Sequence, residues 1–304
     1  SVTTGSTCEW TYSGLPDWVQ YQTSTTLKGD GYVQFNTQPN TGAFRSATLT
    51  IAGKPFVIEQ WGGIQALVSA ANYQSTVAPG SLVSIFGDRM LGQTATASGV
   101  PLPTELGGIR VNIYNATSFF HRCQILYVSP NQINFQLPDN VAIAPADLWL
   151  EDASGSFYSR PIPLHLQIAH VAPALFSMTS DGKGLAAASL QRIKNGVSRY
   201  EQAWEPDGKG GFQAKPIDLS DETEQVYLLL YGTGIRKRSD VKAVSANIGG
   251  TDFPVEYAGA QGDFVGLDQI NVLLPTSLRG KGTVNVSLTA DGKTSNVVQI
   301  TIAP

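Results

Sequence analysis

The sequence predicts an all-β protein built from β-sandwiches in series. Three observations carry that expectation: a motif used twice with its neighbours in the same order, a composition rich in turn formers and poor in charge, and short alternating apolar runs throughout. Residues 127–138 read Tyr-Val-Ser-Pro-Asn-Gln-Ile-Asn-Phe-Gln-Leu-Pro, and residues 266–275 read Gly-Leu-Asp-Gln-Ile-Asn-Val-Leu-Leu-Pro. Upstream of each copy, Leu82–Gly87 matches Tyr227–Gly232, and 106–111 loosely matches 244–250. Downstream, 147–151 and 162–166 answer to 283–288 and 296–302. A repeat with ordered neighbours is the signature of one β-unit used twice.

Within the motif, Ile133, Phe135 and Leu137 fall on one face of a strand, with Gln132, Asn134 and Gln136 on the other. Pro138 and Pro275 mark strand ends, because Pro cannot supply the next N–H. The paired amides Gln132 and Asn134, and Gln269 and Asn271, can serve a ligand, or they can satisfy loop backbone that the sheet leaves unpaired. The structural role carries more weight.

The chain has 304 residues, a net charge of -4, only 14% charged residues, 31 Gly and 17 Pro. That length supports two or three cores. The negative balance argues against a nucleic-acid partner. Arg236-Lys237-Arg238 is the one dense basic run, read as a solvated loop. No run of 18 apolar residues exists, so no membrane span is expected. Cys8 and Cys123 either bridge the N-terminal unit to the first repeat or stand as separate buried thiols. Residue 1 is Ser, a start that fits a processed, exported chain and equally a trimmed one.

Taken in order, residues 1–62 form a small unit. Strands are expected at Cys8–Tyr12, Val19–Tyr21, Tyr32–Phe35, Arg45–Ile51 and Phe56–Trp61, separated by turns such as Lys28-Gly-Asp-Gly31. Cys8-x-Trp10, Trp18, Gly29-x-Gly31, Thr48-Leu-Thr-Ile-Ala-Gly53 and Gln60 together make this stretch resemble the Bacteroidetes-associated carbohydrate-binding often N-terminal (BACON) domain. The resemblance implies a sandwich with a carbohydrate-binding association. Members of that family usually carry further strands before the position of Cys8, and here only seven residues precede it. An immunoglobulin-like sandwich needs about seven strands, so five leave an edge to be covered by the neighbouring repeat, by residues upstream, or by a strand from another subunit.

Residues 63–177 and 178–304 are expected to be two immunoglobulin-like repeats. Ala78-Pro-Gly-Ser-Leu-Val-Ser-Ile-Phe-Gly87, Tyr127–Phe135, Ala172-Pro-Ala-Leu-Phe176, Tyr227–Arg236 and Gly266–Asn271 are similar to the uncharacterised C-terminal β-domain abundant in Solibacter and related acidobacteria. That resemblance covers about 65–304 and implies an extracellular β-rich module without a set activity. An insertion peculiar to the second repeat is read as a protruding hairpin near 190–218, its tip at Glu205–Gly211, with Tyr200 and Trp204 close to that tip.

A search for chemistry finds no Gly-x-Ser-x-Gly elbow, His-Glu-x-x-His, Cys-x-x-Cys or phosphate loop. His121 and Cys123 lie two apart on one strand without a third orienting group. Glu151-Asp152, Asp221–Glu224 and Asp263 with Asp268 present poor geometry for a glycosidase pair but a tolerable one for a calcium loop, and the Asp-Gly loops at Asp181, Asp207 and Asp291 read as turns. Trp10, Tyr12, Tyr21, Tyr200 and Trp204 are the candidate sugar contacts, with core packing as the competing role.

The expectation is therefore a non-enzymatic exported protein of the cell surface or extracellular space, structural or adhesive, whose sharper form is a filament subunit joined by strand complementation. A carbohydrate-binding module that anchors to polysaccharide is the alternative. No cofactor and no metal are expected; the partners are further copies, other surface proteins or polysaccharide.

Overall fold

A computed structural model describes residues 1–21, 26–40, 44–60, 62–88, 90, 93–115, 119–152 and 165–304, with the side chains of Tyr21 and Phe119 excepted. The protein is all-β. Apart from two 3-10 turns, Val241–Ala243 and Thr276–Leu278, the regular elements among the described residues are strands. Among those residues no helix is long and apolar enough to cross a membrane. The strand expected over 162–166 and the residue Trp61 fall largely or wholly outside the described residues.

The N-terminal segment contributes β1 (Glu9–Ser13), β2 (Val19–Tyr21), β3 (Thr26–Lys28), β4 (Phe35–Thr37), β5 (Arg45–Ile51) and β6 (Lys54–Gln60). Six described strands replace the expected five, because Thr-Leu-Lys at β3 is too short to announce itself by alternation. They form one sheet in the order β3-β1-β5-β6 and a separate pair β2-β4. The core here is small: Val19, Leu49 and Ile58 are buried, with Leu15, Trp18, Phe35 and Ile51 partly covered against them.

The middle of the chain supplies β7 (Ile64–Ser69), β8 (Thr76–Val77), β9 (Leu82–Gly87), β10 (Ala95–Thr96), β11 (Ile109–Asn115), β12 (Phe119–Arg122), β13 (Gln124–Val128), β14 (Gln132–Gln136), β15 (Asp147–Asp152) and β16 (Gln167–Ile168). One sheet runs β10-β13-β14-β9-β7 and the other β12-β11-β15. Ile133, Phe135 and Leu137 are fully buried, in one cluster with Val111, Ile113, Ile125 and Leu148. Burying each such side chain stabilises the fold by about 1.5–3 kcal/mol.

The last part holds β17 (Ala174–Leu175), β18 (Ala188–Lys194), β19 (Val197–Gln202), β20 (Trp204–Pro206), β21 (Phe212–Ala214), β22 (Gln225–Thr233), β23 (Val244–Ile248), β24 (Thr251–Pro254), β25 (Tyr257–Ala260), β26 (Asp268–Leu273), β27 (Gly282–Ala290), β28 (Lys293–Thr294) and β29 (Val298–Ile302). Its sheets run β19-β18-β22-β26-β25 and β24-β23-β27-β28, with β29 also on β27. The path β18-β22-β26-β25 has the order of β7-β9-β14-β13, and β24-β23-β27 that of β12-β11-β15. Ile270, Val272 and Leu274 are buried at the positions that answer to Ile133, Phe135 and Leu137.

Adjacent parts meet through specific contacts. Asp88 Oδ2 accepts from the Phe44 amide at 3.0 Å, and a Cβ on Gly62 would lie 2.3 Å from the Asp88 carbonyl, so only glycine allows that approach. Further on, Thr233 Oγ1 accepts from the Leu82 amide and donates to the Gly266 carbonyl, both at 2.9 Å.

Two local expectations are corrected. The single hairpin near 190–218 is two: β18–β19 turns at Asn195-Gly196, and β20–β21 turns at Asp207–Gly211. Both turns use positive φ, at Asn195 and Gly196 and at Gly208 and Gly210. The basic run is not wholly solvated either. Arg236 Nε donates to the fully buried Asp268 at 2.7 Å, because a carboxylate at that depth requires a charged partner.

Candidate functional site

Unequal sheets leave the N-terminal segment open. Among the described residues the layer facing β1, β5 and β6 consists of β2 and β4, and a groove of about 770 Å³ runs beside β4. Val2, Trp10, Val33, Phe35, Ile51 and Phe56 contribute to its lining. Phe35 and Phe56 meet edge to face across it, centroids 6.2 Å apart at 63°. Phe56 and Val57 are half exposed on β6, which pairs only with β5 among the described residues. Phe56 and Val57 point to opposite faces of that strand, so both sides of this sheet edge carry uncovered apolar surface.

One end of the groove is occupied by the chain's own start. Val2 and Gly31 exchange both backbone hydrogen bonds, at 2.7 and 2.9 Å, and the Thr4 amide donates to Asp30 Oδ1 at 2.7 Å. Apart from these bonds the segment is largely exposed.

The sugar contacts expected in this segment are corrected. Trp10 and Tyr12 are both 6% exposed; they alternate inward on β1, and Trp10 Nε1 donates to the Gly29 carbonyl at 2.8 Å. Trp10 reaches the groove wall only with this small exposed fraction, and neither ring presents an open face on which a sugar could stack. Trp18 is half-buried beneath the Arg45 guanidinium, 4.6 Å above its ring. The Tyr21 side chain lies outside the described residues.

Tyr200 stands exposed on the edge strand β19, away from the β20–β21 tip, while Trp204 packs edge-on against Phe212 at 4.8 Å. Among the described residues no ring contact joins Tyr200 to Trp204.

Cys8 and Cys123 are free thiols, so the bridge between them is not formed. Cys8 is exposed, whereas Cys123 is fully buried in the core with Ile125 and Val111, where burial pushes its thiol far up. A thiol held protonated in this way is no nucleophile, and His121 beside it has a buried Nε2 without a partner among the described residues.

The repeated amides bond to each other. Gln132 Nε2 donates to Asn134 Oδ1 at 2.9 Å, Gln269 Nε2 to Asn271 Oδ1 at 2.8 Å, and Ser84 Oγ also donates to Asn134 Oδ1. This corrects the expected pairing with loop backbone, since side chains two apart on a strand share a face within reach of one another.

The carboxylates are likewise engaged. Glu151 takes Arg110, Asn112 and Arg122. Asp181 caps its own loop, accepting from Thr179 and the Lys183 amide, which hold it below the usual range. Glu201 and Glu224 flank Arg192. Among the described residues no group of three or more His, Cys, Asp or Glu is placed to hold a metal.

Sequence reasoning missed one surface. On the solvent face of β12-β11-β15, Tyr114, Phe120 and Trp149 lie together, with Tyr114–Trp149 and Phe120–Trp149 centroids both 6.1 Å apart. They come from three strands, and only the pairing of those strands assembles them.

No family model matches the chain, and no curated protein matches it. Among solved structures it is similar to SGBP-B from the Bacteroides ovatus mixed-linkage glucan utilization locus, solved in complex with a mixed-linkage heptasaccharide. The two are 11% identical with a TM-score of 0.33, over 96% of this chain and 63% of that one. The chain thus spans less than two thirds of its neighbour's length, and a likeness of this degree carries no inference about ligand or role.

Proposed function

We propose that this chain is a non-enzymatic, exported structural or adhesive protein whose N-terminal unit receives a β-strand from a second copy. The observation that carries the reading is the groove beside β4, lined by Phe35, Phe56 and Ile51 and bounded by unpaired strand edges among the described residues. An open sandwich gains apolar burial and backbone hydrogen bonds when a foreign strand enters it.

The donor is the segment Ser1–Thr7 of the neighbouring copy. In each copy that segment already bonds to Gly31 and Asp30 at the groove's end, so exchange replaces those contacts with identical ones from another chain, the low-cost route of domain swapping. Polysaccharide anchoring through the N-terminal aromatics lacks support, since Trp10 and Tyr12 are core residues.

The test places cysteines at Thr4→Cys and Asp30→Cys in a Cys8→Ser background and oxidises the protein as released from the cell. Exchange gives a ladder of disulfide-linked multimers on a non-reducing gel and filaments or large particles by negative-stain microscopy. Deleting residues 1–7 abolishes both. Intramolecular linkage alone, with dispersed single particles, refutes the proposal.

A further inference from the structure

The outer face of β12-β11-β15 carries aromatic rings that packing does not require. Along these strands the inward positions Val111, Ile113, Leu148 and Leu150 are buried in the core. The outward positions are Arg110, Asn112, Tyr114, Phe120, Arg122, Asp147, Trp149 and Glu151, set side by side by the register Tyr114↔Phe120, Asn112↔Arg122 and Asn112↔Trp149. Tyr114 is 40% and Phe120 48% exposed.

The second repeat supplies an internal control. Its matching sheet, β24-β23-β27, turns outward Ser245, Asn247, Asp252, Pro254, Asn285, Ser287 and Thr289, with no aromatic among them. One strand arrangement thus folds without an aromatic on its outer face, and three aromatics at this place in the first repeat are not a demand of the fold. Trp149 makes the same point on its own: its Nε1–H is buried with no acceptor among the described residues, which costs stability.

The rings form one shallow surface. Trp149 touches both of the others, inclined 32° to Tyr114 and 37° to Phe120, and Arg122 lies 6.0 Å over the Phe120 ring. Beside them the charged groups are matched internally. Arg110 pairs with Glu105 and Glu151, Arg122 with Glu151, and Asp147 with His165 at 2.6 Å. A charged partner would have to break these pairs, whereas an uncharged one that offers flat C–H faces and hydroxyls would leave them intact.

From this geometry we infer that the face of Tyr114, Phe120 and Trp149 is a binding platform for a neutral polysaccharide whose sugar rings carry mostly equatorial hydroxyls. The axial C–H faces of such rings stack on the aromatics. Arg122, next to the rings and part-exposed, offers hydrogen bonds to hydroxyls at the platform's edge, while the buried Asn112 holds it and Glu151 in place. The site is independent of strand exchange at the N-terminal unit.

The test is affinity electrophoresis of the full chain through gels containing hydroxyethyl cellulose, xyloglucan or galactomannan, with polygalacturonate as the anionic control. At least one neutral polymer retards the native protein. The Tyr114→Ala/Phe120→Ala variant loses about tenfold or more in affinity, while its near-UV circular dichroism and thermal unfolding match the native chain, because both side chains are surface-exposed. The Phe120→Lys variant, folded by the same criteria, is weakened likewise. Retardation by no neutral polymer, equal retardation of native and variant proteins, retardation by polygalacturonate alone, or a Tyr114/Phe120-dependent self-association without glycan binding each overturns the assignment.

Discussion

Replacing Arg192 with Met removes the centre of the largest ion-pair network among the described residues. Arg192 is 5% exposed; its guanidinium donates to Glu201, to Glu224 at 2.7 Å and to the Asp218 carbonyl at 2.9 Å. The Glu224 side chain is 5% exposed and then keeps only Arg199, itself largely in solvent. Stripping one partner from a fully buried pair costs about 3–5 kcal/mol. Crevices of about 380 and 350 Å³, both lined in part by Arg192 and Glu224, bring water to this cluster, so about 2 kcal/mol is the expected loss once screening is included. Native-state hydrogen exchange reads that figure locally: amides of the β18–β19 hairpin open about 30-fold more often in the variant at neutral pH. Burial pushes Glu224 and Glu201 up, but their hydrogen bonds and charges with Arg192, Arg199 and Lys215 outweigh it and hold both below the ordinary Glu value of 4.5. Groups with depressed folded pKa contribute stability above their unfolded value and lose it as pH falls through the folded one. The gap between native and variant is therefore full above pH 4.5 and closes in more acid solution. Hairpin opening within twofold of native at neutral pH, or a gap that persists unchanged in strong acid, refutes the reasoning.

Other perturbations follow from close approaches and burial. Gly266→Ala sets a Cβ 2.5 Å from Leu82 at φ +77; a cost of about 1–3 kcal/mol in denaturant unfolding is expected, and an unchanged midpoint counts against a rigid contact between β9 and the Gly266 turn. Gly62→Ala, with its 2.3 Å clash against the Asp88 carbonyl, should hasten proteolysis at that junction while leaving the β22–β26 amides as protected as before. Phe135→Ala opens the core around β14 and should cost about 3–5 kcal/mol, read as a large fall in the unfolding temperature of that part of the chain. With Ellman's reagent under native conditions only Cys8 reacts, and Cys123 joins it on unfolding; two reactive thiols in the native protein would contradict the burial of Cys123.

The all-β class and the burial of Ile133, Phe135 and Leu137 were legible in the sequence because a strand's alternation has period two and its consequences are local. Turn positions such as Asn195-Gly196 are open to the same reading, since positive φ selects few residue types. What sequence could not supply was the partner across each space. Trp10 and Tyr12 look like any aromatic pair on an alternating strand, and only the layer packed over β1 turns them into core. Arg236 finds Asp268 across 32 positions. Tyr114, Phe120 and Trp149 sit on three strands in no recognisable spacing, and they become one surface through the pairing of β11 with β12 and β15. Local backbone preference is written residue by residue, whereas burial, charge pairing and the composition of a surface are properties of what the folded chain places opposite.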